Sequence, residues 1–442
     1  MESHPINPWA ARYEPLLDKD VIKRRAIVTV PALIGLRDMP TELACSRLEN
    51  ALNTVFYPTT QCVNILHRFV GIAHAHCVTT YPDAKAFLAG IYSKDSPLPE
   101  FLPAILLTGL AGIGKTQLMK ALRRIQVDES QVIVEEDHPP FPLKGPWRIT
   151  VHARSNPMDI LKALAQADAG SAALVDKCKK LVFRDGIPFL IADEFQFVTG
   201  SSSANTRVTQ MLLLLTYVGI PCCYNANFSL VGRLLMRPEE DRQRLLSDWE
   251  ILLPDHPSSD DWQQTLKFQK DVAHEMLTFD PIKDAAAIHT YTAGRKRATV
   301  KLLVLALRNV HPRCVVDMAA IKRAYHSPGY ACYREEAEIL ATQVIQNKPD
   351  KKRKDLWCPL PLPPNAAAAF LKSANVKRDE QVADAEIRAS LNGAERKALE
   401  EIQRDIKKTK KQLGEVVPLR KKKTSPTADD LKKNNNWFRD QI

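Results

Sequence analysis

Residues 109–116 read GLAGIGKT, and no other stretch narrows the possible folds as sharply. The pattern is G-x-x-x-x-G-K-T; it follows the apolar run 104–107 (AILL) and opens a helix-forming segment, 117–125 (QLMKALRRI). A buried strand that turns through glycines into a helix aims successive backbone N–H groups and the positive end of the helix dipole at one spot. That spot suits a phosphate chain. The expected contacts are Gly109, Gly112, Ile113, Gly114, Lys115, Thr116 and Gln117, with the Lys115 ammonium on the β- and γ-phosphates and the Thr116 hydroxyl on Mg2+.

A loop of this kind needs a second element to hold the metal and position water, and residues 188–194 (PFLIADE) supply it. A mostly apolar run ahead of an Asp-Glu pair describes a buried strand whose carboxyl end delivers two carboxylates. Asp193 is expected to hold Mg2+, directly or through water, and Glu194 to act as general base on the attacking water. Between the two motifs, 147–151 (WRITV) reads as a strand, and Asn156-Pro157 reads as a helix start. A polar loop (199–206), an apolar helix (207–218) and a strand (222–226) then continue the strand–helix alternation. Parallel strands collect ligand groups at their carboxyl ends. Asn227, at such an end, is the candidate sensor of the γ-phosphate, with Asn225 second; a simple cap of the next turn is the plain alternative.

Phosphoryl transfer calls for further positive charge at the γ-phosphate. Residues 232–254 carry Arg233, Arg237, Arg242 and Arg244 ahead of a strand at 249–253. Arg242 and Arg244 are the first candidates to reach a neighbouring copy's nucleotide; the alternative is surface arginines paired with Glu239, Glu240 and Asp241. Residues 292–297 (TAGRKR) precede an amphipathic helix at 298–310, which makes Arg297 the candidate for sensing nucleotide from a small helical lid.

The formal charge of +11 is concentrated late in the chain: residues 348–442 hold 23 basic and 14 acidic side chains, a net +9. A balance that basic raises nucleic acid as a partner. The basic run 348–355 and the proline cluster 358–364 read as a linker, placing a boundary near 345. Beyond it, Leu399, Ile402, Ile406, Thr409 and Leu413 space like a short heptad helix, capped by Asn392 and stopped at Gly414. The basic end, with Trp437 and Phe438, reads either as a solvated tail or as a docking peptide. Nine scattered cysteines show no zinc spacing and read as reduced thiols. No apolar run is long enough to span a bilayer, and the first residues lack a secretory pattern, so no membrane association and a cytoplasmic location are expected.

In their order, GLAGIGKT, PFLIADE, Asn227, the arginines before WEILLP, and TAGRKR resemble the AAA+ ATPases over residues 101–325. Within them the chain resembles the TnsC/TniB transposition regulators through GLRDMPTE (35–42), TVFYPTTQCV (54–63), GIPCCYNANFSL (219–230) and MRPEEDRQRLL. It departs from them in reading Asn-Ala-Asn where many relatives have Gly-Thr or Gly-Asn, and in its long basic tail. The resemblance implies an α/β fold: a P-loop AAA+ parallel-sheet core (101–255) with a helical N-terminal region (1–100), a small α-helical lid (256–345) and a basic linker and tail (346–442). It also implies Mg2+-dependent ATP hydrolysis and assembly as a ring or filament on double-stranded DNA, with nucleotide between adjacent copies. DNA would be held by its backbone without base reading, with Arg154 and either Lys179 or Lys180 expected on loops facing the bore, and the partners would be a transposase and target-selector proteins. Two alternatives stand beside this: a STAND-type nucleotide-switched scaffold, and a helicase-loader or origin-type AAA+ ATPase.

Overall fold

Six consecutive buried residues, Ala104–Gly109, form β1, as expected of a strand covered on both faces of a parallel sheet. The computed structural model describes residues 7–126, 130–136, 138–150, 157–168, 170–193 and 202–362, with backbone only at 171, 202–205 and 207. The other strands are β2 (Ser130–Val132), β3 (Phe141–Leu143), β4 (Trp147–Thr150), β5 (Leu190–Asp193), β6 (Cys222–Asn227) and β7 (Asp248–Leu252). Strands β2 and β3 make a separate antiparallel pair; the others form one sheet in the order β4-β5-β6-β1-β7. All four of its pairings are parallel. The register sets Gly109 opposite both Asn227 and Leu252, and Thr150 opposite Asp193, so the polar last residues of three strands, Thr150, Asp193 and Asn227, gather at the carboxyl edge of the sheet beside Gly109.

Five helices precede β1: α1 (Pro8–Ala11), α2 (Lys19–Ala26), α3 (Thr41–Thr54), α4 (Thr60–Thr80) and α5 (Ala84–Tyr92). Thr59 caps α4 by accepting from the Cys62 amide, and Cys62, Leu66, Phe69, Val70, Ala73 and Cys77 bury one face of that helix. Arg68 on the same helix pairs with Asp248 and Glu250 of β7, each at 2.6 Å. Gln61 donates to the Ile251 carbonyl at 2.8 Å, so the β7 edge of the sheet is covered. Among the strands run α6 (Lys115–Ile125), α7 (Pro157–Ala165), α8 (Ser171–Arg184), α9 (Ser202–Thr216), α10 (Phe228–Leu234) and α11 (Glu239–Leu246). The lid comprises α12 (Asp260–Asp271), α13 (Ala285–Thr292), α14 (Lys296–Val310), α15 (Met318–His326) and α16 (Ala331–Gln346).

The apolar residues form two cores. The first surrounds the sheet and takes in Trp9, Tyr13, Phe69, Tyr81 and Phe87 from the N-terminal helices, with Trp9 stacked on Tyr81 at 5.2 Å. The second fills the lid around Trp262, Leu303 and Leu307, and it includes Ala44, Leu48 and Leu52 of α3. The first hundred residues therefore contribute side chains to both cores, and α3 belongs with the lid.

Residues 348–362 differ from the expected linker. A 3-10 turn, Lys354–Leu356, follows α16; Leu356 and Leu360 are buried in the sheet's core, and Arg353 pairs with Glu336 at 2.9 Å. The reason is local: apolar residues alternate with the prolines, and an extended proline-rich segment can pack its side chains without contributing to a hydrogen-bonded ladder. The chain divides into two units, Met1–Ala374 and Asn375–Ile442. The heptad-like stretch between Asn392 and Gly414, and the Trp437-Phe438 pair, lie outside the described residues.

Among the described residues no helix is long and apolar enough to cross a membrane, and no cluster of three metal-ligating side chains occurs. All nine cysteines are free, six of them buried. Burial pushes the Cys222 thiol up to about 12.

Candidate functional site

The loop between β1 and α6 is shaped by what its glycines must touch. Gly112 sits at φ +80°, and a Cβ there would come within 2.9 Å of the Arg297 Cβ. A Cβ on Gly109 would meet the Leu252 carbonyl oxygen at 2.4 Å, because the loop leaves β1 pressed against the end of β7. Gly114 precedes Lys115, the first residue of α6. Ile113 is buried beneath the loop, and the Arg297 amide donates to the Gly112 carbonyl at 3.0 Å, joining the lid to the loop.

Lys115 is buried, and its Nζ donates to the carbonyls of Gly109 (2.8 Å) and Leu110 (3.0 Å) and to Oδ1 of Asn227 (2.7 Å). One turn of chemistry away lies Asp193, 1% exposed at the end of β5. A carboxylate this deep needs donors. The Asn225 amide supplies one at 2.8 Å, the Thr116 hydroxyl another at 3.4 Å, and an Arg148 guanidinium N–H lies 3.4 Å from its second oxygen. Loop, strand end and first helical turn thus converge on one small polar volume.

This volume fits a magnesium–nucleotide phosphate chain on the chemistry of its donors. A threonine hydroxyl beside a carboxylate offers hard oxygen ligands, and a loop cradle closed by lid and sheet leaves room for backbone but not for a side chain at Gly112. The ammonium of Lys115 supplies positive charge at the same place.

Of the expected site residues, Gly109, Gly112, Gly114, Lys115, Thr116, Asp193 and Asn227 come together. Gln117 points its amide elsewhere, donating to the Asn53 carbonyl of α3 at 2.8 Å. Arg297 meets the loop through its amide and through its side-chain stem, which lies against Gly112, while the residue as a whole is exposed. Arg244 is engaged within its own chain, bonded to the Tyr217 hydroxyl and Glu240, both at 2.8 Å, with its guanidinium over the Phe101 ring. Arg242 is exposed on α11. Glu194 and Arg154 lie outside the described residues. Lys179 and Lys180 sit on α8 rather than on loops: Lys179 donates to the Pro99 and Glu100 carbonyls, and Lys180 pairs with Asp176 one turn away. The physical reason is that residues 171–184 form one uninterrupted helix, with no glycine or proline to break it.

Two contributors, Arg148 and Lys296, were not foreseen, and Asn225, the second candidate for the sensor, bonds to Asp193 instead. Asn225 and Arg148 both face Asp193; the signal available in the sequence was an arginine in the middle of WRITV and a second polar residue in a strand otherwise apolar. Lys296 lies against Gly114, its ammonium 5.4 Å from the Phe56 ring centre, and Arg124 stacks on the same ring at 5.5 Å. Nearby, burial raises the Asp255 carboxyl above its ordinary value, opposed by the charge of Lys296.

No family model and no curated protein sequence matches the chain. Solved structures similar to it include the Aeropyrum pernix Orc1 protein in complex with DNA, at 15% identity over 60% of this chain and 66% of that one, TM-score 0.34. Cdc6p from Pyrobaculum aerophilum is 13% identical over 60% and 70% of the two chains, TM-score 0.34. Domain III of the Thermotoga maritima replication initiation protein DnaA is 14% identical over 55% and 88%, TM-score 0.32. The phosphate loop leaves β1, which lies between β6 and β7 of a parallel sheet, and the helical lid bonds to that loop: a parallel α/β fold with the glycine loop at an inner strand.

Proposed function

We propose that this chain is a Mg2+-dependent ATPase that assembles with copies of itself, as a ring or helical filament, on double-stranded DNA. The observation that carries the nucleotide part is the convergence of Lys115, Asn227, Thr116 and Asp193 at the mouth of the glycine loop. Backbone N–H groups of the loop and the amino end of α6 would receive the phosphates, and Lys115 would neutralise charge on them. Thr116 and Asp193 would hold Mg2+, whose charge stabilises the phosphoryl oxygens during transfer. Asn227, hydrogen-bonded to Lys115, would orient the γ-phosphate, and Glu194, directly after Asp193, would take a proton from the attacking water.

The arginines of 232–254 support the assembly part of this reading. Arg244 is committed to Tyr217, Glu240 and Phe101, which leaves the exposed Arg242 as the favoured residue to enter a neighbour's nucleotide site. Nucleotide at the junction makes binding an assembly switch and hydrolysis a release. Within this class we favour a transposition regulator that links target-selector proteins to a transposase, on the strength of the TnsC/TniB resemblance in residues 35–63 and 219–246.

Electron microscopy of the protein on duplex DNA, with and without a slowly hydrolysed ATP analogue, tests this reading. Ordered coats on DNA that require the analogue and form on any sequence support it. Binding restricted to one DNA sequence favours the origin-type alternative, and monomers under every condition overturn the assembly claim.

A further inference from the structure

Helices α2, α4 and α6 pack against one another on the flank of the sheet. Together they carry nine lysines and arginines against one acid, Asp20. Three of the nine are occupied: Arg68 with Asp248 and Glu250, Lys115 in the phosphate site, and Lys19 with Asn64 at 2.8 Å. Six remain, namely Lys23, Arg24 and Arg25 on α2, and Lys120, Arg123 and Arg124 on α6. All but the half-buried Lys23 are exposed. Among the described residues none of the six forms an ion pair.

The two helices bring these charges together at their carboxyl ends. Arg124 donates to the Ala26 carbonyl of α2 at 2.9 Å, and Arg25 to the Ile125 carbonyl of α6 at 3.4 Å, each guanidinium capping the other helix. Capping accounts for two of the six. Lys23 lies over the Tyr57 ring and Arg124 over its neighbour Phe56, so these stems are held in place. Among the described residues, Arg24, Lys120 and Arg123 have no such task. Asp128 and Glu129, outside the described residues, follow α6 in sequence, two acids against six cations.

A concentration of like charge without counter-ions opposes folding unless something outside the chain uses it. We propose that the α2–α6 face is the surface that grips the phosphate backbone of duplex DNA. The proposal rests on the DNA-binding reading above and replaces the contacts expected at Lys179 and Lys180, which α8 holds against its own chain. It also gives a short route from nucleotide to DNA, because α6 begins at Lys115 and ends in this face.

The test is fluorescence-anisotropy binding of a random-sequence duplex with nucleotide, as a function of salt, for the wild type and for Arg24→Gln/Lys120→Gln/Arg123→Gln. Each lost phosphate contact lowers the log–log salt slope by about 0.9, so a loss of two to three units and an affinity drop of about 10- to 100-fold are expected. ATP affinity stays at the wild-type value, and the thermal midpoint stays at or above it, since the substitutions relieve like-charge repulsion. In a second measurement on the wild type, DNA should protect Lys23 and Lys120 from acetylation, read by mass spectrometry, and leave Lys179 and Lys180 reactive. A triple variant that binds DNA with the wild-type salt slope, or a wild type that binds DNA while Lys23 and Lys120 stay reactive, overturns the surface assignment alone. A wild type that binds no DNA in any nucleotide state sinks the DNA reading and this surface with it. Loss of nucleotide-driven self-assembly in DNA-free solution by the triple variant overturns the proposal in favour of an acidic protein face.

Discussion

Lys115 and Asn227 share a 2.7 Å hydrogen bond that ties the first turn of α6 to the end of β6. The pairing of Gly109 with Asn227 in the sheet fixes that distance, since the loop starts where Asn227 ends its strand. Lys115→Ala removes the ammonium and is expected to abolish nucleotide binding. Asn227→Ala leaves Lys115 its two carbonyl acceptors, so ATP should still bind within a few-fold of wild type while hydrolysis falls about 100-fold, the usual scale for losing one polar group that acts on developing charge. Calorimetry of ATP binding and a phosphate-release assay separate the two; turnover at the wild-type rate in Asn227→Ala would remove Asn227 from the mechanism.

Asp193 accepts a 2.8 Å hydrogen bond from the Asn225 amide. Asn225→Leu keeps the volume and deletes that donor to a buried carboxylate. A loss of about 1–3 kcal/mol is expected from such a change, seen as a lower urea midpoint without nucleotide. An unchanged midpoint means that Asn225 does not support Asp193.

Most of the sheet was legible because its strands are short apolar runs between unmistakable punctuation. The runs at 147–151, 222–226 and 249–253 form strands at Trp147–Thr150, Cys222–Asn227 and Asp248–Leu252. Lys115, Thr116 and Asp193 come together because motif spacing encodes the strand ends. What escaped was whatever depends on one element meeting another far away in sequence. Arg148 is 45 positions from Asp193, Gln117 is 64 from Asn53, and α2 is about a hundred from α6; no local pattern announces such encounters. The 348–362 segment misled for a different reason: basic and proline-rich composition describes linkers well on average, but says nothing about the leucines spaced among them.

Gly112 carries the contact between loop and lid. Alanine there combines a left-handed backbone with a Cβ 2.9 Å from that of Arg297, so the lid must shift. Gly112→Ala should weaken ATP binding at least about tenfold, as expected when a ligand group is displaced by an ångström or so, and should release protection of the Arg297 amide in hydrogen exchange, because its bond to the Gly112 carbonyl is lost. Gly145→Ala, with nothing within 4 Å of the new methyl, is the control and should leave both unchanged.

His76 gives a pH dependence unrelated to the nucleotide site. Burial lowers its imidazole from 6.5 to about 4, and its Nε2 has no hydrogen-bond partner. The unfolded chain therefore takes up a proton that the folded chain refuses. Stability should be complete above pH 6.5 and fall progressively toward pH 4, by an amount on the order of 2–3 kcal/mol. Urea midpoints at pH 7.5 and 5.0 measure this slope, and His76→Leu should flatten it. Equal slopes in the two proteins would assign the effect to other groups.

The segment after α16 is expected to be part of the fold rather than a tether. Burial pushes the Glu336 carboxyl up, but hydrogen bonds from Arg295 and Arg353 outweigh it and hold the group below its ordinary range. Arg295 is itself 2% exposed, so the half-buried Glu336 is its counter-ion and Arg353 is the brace that reaches in from the segment. Leu356 and Leu360 add apolar area to the sheet's core, and burying a leucine contributes about 1.5–3 kcal/mol. A chain stopped after Asn347 loses the brace and both leucines together, and its thermal midpoint should drop by about 10 °C or more. A chain stopped after Ala374 keeps the brace and both leucines and should melt within about 2 °C of full length. Were the two truncations to melt alike, residues 348–362 would be a linker after all and their packing incidental to stability.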